Sequence, residues 1–232
     1  MTSSPTQVPS LTIDIVSDVM CPWCYIGKKR LEAALAEVAS EFAVDVHWRP
    51  YQLDPNLPKQ GTDRKHYMEA KFGGPEGAER AYAPVRAAGA EENITFNFDR
   101  IEVSANTLDA HRLIRWAGAL GPDAQDAAVE ALFKAYFEDG RNLGDDAVLI
   151  EAGVTAGLEA DVVERLLSGD ADRDAVTAEI DQAKQMGVTG VPCFIIDMKY
   201  ALVGAQPAEA LADAMRKIVA EKASHPEGVA GS

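Results

Sequence analysis

Val19-Met20-Cys21-Pro22-Trp23-Cys24-Tyr25-Ile26-Gly27 joins an alternating apolar segment, residues 11–17, to a segment with helical periodicity. Two cysteines with two residues between them, the first followed by proline, are typical of a redox pair at a helix N-terminus. The unpaired backbone N–H groups and the helix dipole there favour the thiolate, which is the form that attacks disulfides. Pro22 suits the first helical turn because its missing N–H would have no partner there. The stretch therefore predicts a pair of thiols that can close a disulfide or reopen a mixed one.

Charge and cysteine content limit the partners and the compartment. The 232 residues carry a formal net charge of −15, which argues against nucleic acid and anionic membranes as partners. Residues 1–10 contain no apolar signal segment, and no apolar run approaches the roughly 20 residues that span a membrane. Three cysteines are too few for a disulfide framework. We therefore expect a cytoplasmic protein, where a disulfide is more often catalytic or transient than structural.

The first part of the chain predicts a strand, a helix and a second strand. Apolar residues alternate with polar ones over residues 11–17 and 44–48, and a helix is predicted over residues 22–40 between them. Three such elements within about forty residues form a βαβ unit with parallel strands and a right-handed crossover. This unit is half of a thioredoxin-like sheet.

The composition changes at Asp54, where prolines and glycines up to Pro75 break the chain into short pieces. Helix signals follow, with Asp145 among the predicted caps and residues 94–98 as a strand-like exception. Beyond this helical segment, residues 190–203 predict an antiparallel hairpin, and a final helix follows it.

The order of elements predicts an α/β protein with a thioredoxin-like fold, βαβ…ββα, interrupted by a large all-helical insertion. We expect four parts: a disordered tail of residues 1–10, a thioredoxin-like domain of residues 11–53 and 187–223, an inserted helical subdomain of residues 54–186, and a flexible tail of residues 224–232.

Pro192 begins the apolar run that follows the helical segment. A proline at the start of a strand gives up a hydrogen-bond donor and normally lies at an edge or a bend. If the Val191–Pro192 bond is cis, the chain turns sharply and exposes the backbone N–H and C=O of Val191. Those groups can pair with an extended thiol substrate, as in β-strand addition. Val191 and Pro192 are therefore predicted substrate-binding residues.

The sequence resembles the DsbA family of thioredoxin-fold proteins with an inserted helical domain, and in particular its cytosolic FrnE-like branch. Four stretches carry the resemblance: Asp18-Val19-Met20-Cys21-Pro22-Trp23-Cys24-Tyr25-Ile26-Gly27, Trp48-Arg49-Pro50-Tyr51-Gln52-Leu53, Asn106-Thr107-Leu108-Asp109-Ala110-His111-Arg112-Leu113 and Gly187-Val188-Thr189-Gly190-Val191-Pro192-Cys193-Phe194. The resemblance implies a thiol–disulfide oxidoreductase or dithiol–disulfide isomerase. In that reaction Cys21 would be the attacking thiolate, Cys24 the resolving thiol and Pro192 the cis-proline beside them.

Four further residues are candidates for substrate binding. Pro22 and Trp23 lie between the two cysteines and would shape the surface that a substrate meets. The resemblance also places the helix that begins near Asn106, with His111 on it, beside the active site. A lone helical histidine is as often structural, so both roles stay open for His111.

Two features depart from the family pattern. Many thioredoxin-like proteins have a buried acidic residue six positions before the first cysteine, but this chain has Ile15 there. Asp18 is closer and is expected at the strand end, so a proton acceptor for Cys24 is not identified. The two residues between the cysteines are Pro-Trp, whereas the strongly oxidising periplasmic members of the family that the chain resembles have Pro-His at this place. We therefore expect a less oxidising couple than that of DsbA.

The cysteines and the basic residues also allow roles other than disulfide exchange. A tetrahedral zinc site needs four ligands, and only Cys193 and one of four histidines are left to complete one, so no metal is predicted. Cys193 is expected to be a buried small hydrophobic residue, with a side disulfide to Cys21 as the alternative. Lys28, Lys29 and Arg30 are expected on a solvated helix face rather than around an anionic ligand.

A second class of function is a glutathione-dependent isomerase or transferase. The sequence is similar to the hydroxychromene carboxylate isomerases and kappa-class glutathione transferases, which typically have a serine where Cys21 stands. The expected partners are thiol or disulfide substrates, either proteins or glutathione, and a homodimer stays open. No cofactor is expected to bind tightly, although glutathione is a candidate redox partner or co-substrate. A third reading is a redox-silent binding protein or chaperone.

Overall fold

A four-stranded mixed sheet lies at the centre of the protein, whose computed structural model describes residues 10–224. Strand β1, Ser10–Ser17, pairs in parallel with β2, Ala43–Pro50, and antiparallel with β5, Cys193–Ile196. Strand β6, Tyr200–Val203, pairs antiparallel with β5, so the strand order is β2-β1-β5-β6. β1 lies inside the sheet, and its residues from Ile13 to Ser17 are buried on both faces, whereas β2 exposes polar residues.

Two helices cover one face of this sheet. Helix α1, Pro22–Val38, connects β1 to β2, and the last helix, Ala208–Ser224, packs beside it. The side chains of Ile13 and Ile15 on β1 point to this face and share its core with residues of α1. Val16, one residue further along, points to the opposite face, as the two-residue period of a strand requires.

The chain between β2 and β5 is mainly helical and packs on the same core. Its helices are α2, Arg64–Phe72; α3, Pro75–Glu91; α4, Leu108–Gly118; α5, Pro122–Phe133; α6, Asp146–Thr155; α7, Ala160–Leu167; and α8, Arg173–Gln185. The closing helix of the chain is therefore α9. Asp145 caps α6 as predicted, because its side chain accepts a hydrogen bond from the N–H of Ala147. The architecture confirms a thioredoxin-like fold with a large helical insertion.

The structure corrects two expectations within this segment. The glycines and proline near residue 75 do not break the chain into short pieces: Gly73 ends α2 with a φ of 76°, and Pro75 begins the 17-residue α3. Residues 94–98 form no strand, since Phe96 and Phe98 pack instead into an aromatic cluster with Phe137. The segment also includes a two-residue pairing of β3, Thr62–Asp63, with β4, Val103–Ser104.

The predicted domain boundaries stay predictions. Residues 1–9 and 225–232, which make up almost all of the two predicted tails, lie outside the described residues. Ser10 already belongs to β1, and Ser224 is the last residue of α9. Within residues 10–224, no helix combines the length and the apolar composition that crossing a bilayer requires.

Candidate active site

Cys21 lies at the N-terminus of α1. It occupies the N-cap position with extended backbone angles, and Pro22 follows at the start of the helix. The N–H of Cys21 donates to the carbonyl of Asp18 at 2.9 Å, and the N–H of Cys24 donates to the carbonyl of Cys21 at 3.0 Å. This turn places the Cys21 sulfur at the end of the helix where backbone N–H groups lack helical partners.

The loop before β5 meets Cys21 from the other end of the chain. The Val191–Pro192 peptide bond is cis. The thiol of Cys21 lies 3.7 Å from the carbonyl oxygen of Val191, to which it can donate a weak hydrogen bond. The antiparallel pairing of β1 with β5 produces this contact, because Val16, near the end of β1, is opposite Cys193. The structure thus brings Cys21, Val191 and Pro192 together.

Cys24 is the more deeply placed of the two thiols, with 1% of the residue exposed against 5% for Cys21. Both are free thiols in this structure. Burial, together with the neighbouring Cys21, raises the pKa of Cys24 well above its ordinary value, although the hydroxyl of Ser17 and the backbone N–H of Asp18 oppose this effect. Cys24 is therefore a protonated thiol inside the protein, in contact with the sulfur nearer the surface.

Asp18 and His111 form a buried polar pair behind the active-site turn. Asp18 is 0% exposed, and its Oδ2 accepts a hydrogen bond from the N–H of Leu53 at 2.8 Å. His111 Nε2 lies 2.9 Å from the carbonyl oxygen of Tyr51 and 3.6 Å from Asp18 Oδ1. Because a carbonyl oxygen only accepts, Nε2 is the nitrogen that donates. His111 also lines a cavity of about 450 Å³ between β2 and the helices α4, α5 and α8.

The other predicted substrate-binding residues are partly engaged within the protein. Trp23 is half-buried against the core, and Pro22 is also half-buried. The Oδ1 of Asn106 accepts hydrogen bonds from Gln52 and from the N–H of Leu108, and its Nδ2 donates to the carbonyl of Leu57. Asn106 therefore joins the loop after β2 to the start of α4. Contact of these residues, and of His111, with a substrate stays a prediction.

The expectation that Lys28, Lys29 and Arg30 form a solvated helix face is wrong, because these residues are paired with acidic side chains. Lys28 is 2% exposed, and its Nζ lies 2.9 Å from Asp126 and 3.3 Å from Glu130 of α5. Although burial acts to lower it, the surrounding carboxylates raise the pKa of Lys28. Lys29 also pairs with Glu130. These cations hold α1 against α5 because α5 presents acids to them, which no pattern within α1 could show.

Gly27 is a site residue to which the sequence assigned no role, although it closes the quoted motif. A Cβ at this position would lie 2.9 Å from Pro192 Cγ and 3.3 Å from Phe194 Cζ. Glycine inside a helix is about 1 kcal/mol less favourable than alanine, so the close approach of the proline explains its presence. Gly27 lets the cis-proline loop rest directly on α1.

Gly27→Ala is therefore expected to reduce stability by about 1–3 kcal/mol, because overpacking outweighs the better helix propensity. It should also slow disulfide exchange, since Pro192 must move away from Cys21. The control is Gly118→Ala in α4, whose Cβ would meet the side chain of Gln125, with Nε2 at 2.9 Å, and not the cis-proline loop. Urea unfolding and exchange rates measure both effects, and a Gly27→Ala protein of raised stability would contradict the prediction.

Cys193 lies on the face of the sheet that is turned away from α1. It is 3% exposed and packs with Val16, Ala183 and Ile195. Cys24 packs in the separate core on the other face. Cys193 is thus buried among apolar side chains, which raises the pKa of its thiol. In the part of the chain that the structure describes, no three His, Cys, Asp or Glu residues are grouped to hold a metal ion.

Comparison with known proteins identifies the family. The DSBA-like thioredoxin domain matches residues 12–216. The crystal structure of a probable DsbA oxidoreductase from Streptomyces coelicolor has 35% sequence identity and a TM-score of 0.83, and the similarity covers 91% of each chain. Two more distant structures share the fold. They are a 2-hydroxychromene-2-carboxylate isomerase (16% identity, TM-score 0.68, covering 92% of this chain and 98% of that one) and the cytosolic disulfide reductase DsbM from Pseudomonas aeruginosa with GSH (20% identity, TM-score 0.63, covering 89% and 98%). With its cysteine pair facing a cis-proline, the chain belongs to the DsbA-like thioredoxin family.

Proposed function

We propose that this protein catalyses thiol–disulfide exchange, with Cys21 as the attacking thiolate and Cys24 as the resolving thiol. The observation that carries the proposal is the position of the Cys21 sulfur. It lies at the start of α1, in contact with the Cys24 thiol and 3.7 Å from the carbonyl oxygen of Val191. A substrate chain that pairs with the backbone of Val191 would present its disulfide to Cys21.

The reaction proceeds through a mixed disulfide. The Cys21 thiolate attacks one sulfur of the substrate disulfide, and the other substrate sulfur leaves as a thiol. Cys24 then attacks Cys21, which releases the second substrate thiol and leaves a Cys21–Cys24 disulfide. The reverse sequence oxidises a dithiol substrate. The burial of Cys24 supports this division of roles, because substrate reaches the outer sulfur first.

Proteins and glutathione are the proposed substrates or redox partners, and the cytoplasm is the proposed compartment. The DsbM structure named above contains GSH, and that reductase is described as cytosolic. Both facts support, for this chain, a thiol pair that exchanges with the glutathione pool. A homodimer, which would give an isomerase a second site, stays open.

The alternative function is a glutathione-dependent isomerisation or transfer. The shared fold of the 2-hydroxychromene-2-carboxylate isomerase favours it as the second candidate. Such a reaction needs one group to bind the glutathione sulfur and has no use for a resolving thiol. The contact between Cys21 and Cys24 therefore supports exchange over isomerisation.

The reduction potential of the Cys21–Cys24 couple tests the proposal. We expect a reversible two-electron transition in a glutathione redox titration, at a potential more negative than the −120 mV or so of DsbA, because Trp23 replaces a histidine between the cysteines. A value near about −180 mV would indicate an oxidase or isomerase, and one near about −270 mV a reductase. The Cys193→Ala protein should titrate identically. Absence of a reversible transition would refute exchange.

A further inference from the structure

The last residue of β1, Ser17, carries a buried hydroxyl whose role the exchange steps above leave open. Ser17 is 4% exposed. Among residues 10–224 its Oγ has no hydrogen-bond partner, although its backbone carbonyl accepts from Tyr51. An unpaired hydroxyl in a core destabilises the folded state and therefore calls for a specific explanation.

Strand geometry directs this hydroxyl toward α1. Side chains two residues apart on a strand point to the same face, so Ser17 shares the face of Ile13 and Ile15. Those two residues pack in the same core as Cys24. Burial and Cys21 raise the pKa of Cys24, while the hydroxyl of Ser17 and the N–H of Asp18 act to lower it. The buried hydroxyl thus lies on the sheet face against which Cys24 packs and acts on the Cys24 thiol, yet it has no hydrogen-bond partner in the dithiol form.

We propose that the Ser17 hydroxyl and the Asp18 N–H bind the Cys24 sulfur as it becomes a thiolate during resolution of the mixed disulfide. A hydrogen bond to an ionised acceptor is stronger than one to a neutral acceptor. The donor is therefore satisfied when charge develops on Cys24, which favours the transition state over the resting thiol. Ser17 supplies a polar group on the strand face where Ile15 replaces the buried acid of other thioredoxin-like proteins.

This role of Ser17 and Asp18 rests on the exchange function proposed above. The mixed disulfide joins Cys21 to a substrate sulfur. The Cys24 thiol loses its proton, which ends on the departing substrate sulfur, and the Cys24 sulfur bonds to the Cys21 sulfur. The bond between Cys21 and the substrate breaks, so the two cysteines are oxidised together and the substrate sulfur leaves as a reduced thiol. Ser17 keeps its own proton and acts only as a donor.

The surroundings of Cys24 limit which groups control its titration. Cys21 faces it from α1, and the backbone of Asp18 faces it from the end of β1. The Asp18 carboxylate is turned toward the N–H of Leu53, with His111 of α4 beyond it. Removing the Ser17 hydroxyl leaves these groups in place and withdraws one donor from the sulfur.

Ellman's reagent separates the two thiol steps. Attack by Cys21 releases one coloured thiolate, and resolution by Cys24 releases a second, so stopped-flow absorbance follows each step. In a Cys193→Ala background, Ser17→Ala is expected to slow the second release about 10- to 100-fold, the range for one hydrogen bond to a charged group. In Ser17→Ala, the pH at which the rate of the second release reaches half its maximum should rise by about one unit or more. The first release should not change.

Ser104→Ala is the matched control, because Ser104 also carries a fully buried hydroxyl without a partner in the described residues, in β4. It should leave both releases and the pH profile unchanged. Ser17→Thr and Ser17→Val compare side chains of equal volume with and without the hydroxyl, so a packing defect would slow both alike. Equal second-release rates for that pair would overturn the proposal. Absence of a second release in the parent protein would instead refute the exchange function itself.

Discussion

Cys24→Ser is expected to stop exchange at the mixed disulfide. Cys21 keeps its place at the start of α1, so it still attacks, but a serine hydroxyl cannot form the disulfide that expels the substrate thiol. Release then depends on an external thiol. Positioned intramolecular groups act at effective concentrations of about 10⁵ M or more, so turnover should fall by at least about 10³-fold. Mass spectrometry should show a covalent adduct on Cys21.

Two further variants make this result specific. Cys193→Ser removes a thiol that packs on the opposite face of the sheet, and exchange should continue in it. Cys21→Ser should form no adduct at all. If Cys24→Ser instead retained a glutathione-dependent isomerisation of a hydroxychromene carboxylate at the parent rate, the alternative function would replace the proposed one.

Arg112→Met is expected to lower the free energy of unfolding by about 3–5 kcal/mol, the range for removing one partner of a buried charged network. Arg112 is 0% exposed. Its guanidinium donates to the carbonyls of Leu166, Gly169 and Ala171 at 2.6–2.7 Å and to Asp109 at 2.8 Å. Methionine fills much of the volume but leaves these acceptors unpaired. Urea unfolding followed by circular dichroism measures the loss.

Arg216→Met is the matched control for this prediction. Arg216 also makes several hydrogen bonds, to Glu37 and Glu41, but they lie at the surface. Because water can hydrogen-bond to the exposed carboxylates that lose Arg216, the free energy of unfolding should fall much less than in Arg112→Met. Similar losses for the two variants would contradict the role of burial.

The stability that Arg112→Met removes is expected to depend on pH through Asp109. Burial acts to raise the pKa of Asp109, but Arg112, Arg173 and Lys59 outweigh it and hold that pKa below its ordinary value. A carboxylate of this kind stabilises the fold above its unfolded pKa of about 3.9, and the contribution disappears as the pH falls through the folded pKa. The stability difference between the parent and the variant should therefore narrow below about pH 4.

Local patterns were sufficient for most of the elements around the site. The alternation that predicted β1 and β2, the Asp145 cap of α6 and the hairpin strand Tyr200–Val203 agree with the structure. These signals work because they depend on neighbours in sequence. The same locality explains the error near Pro75, where a glycine pair and a proline can equally break a helix or separate two helices.

The sequence by itself determined which groups the candidate site contains and the order of the elements: a Cys21–Cys24 pair at a helix start, a proline that begins a late strand, and a βαβ…ββα order around helices. The tertiary structure alone decided what each group contacts. It placed Val191 against Cys21, His111 behind Asp18, and the Lys28 ammonium among the acids of α5. The reason is physical. Cysteine spacing and strand periodicity are properties of adjacent residues, whereas burial and partner choice arise when β1 pairs with a strand about 180 residues away.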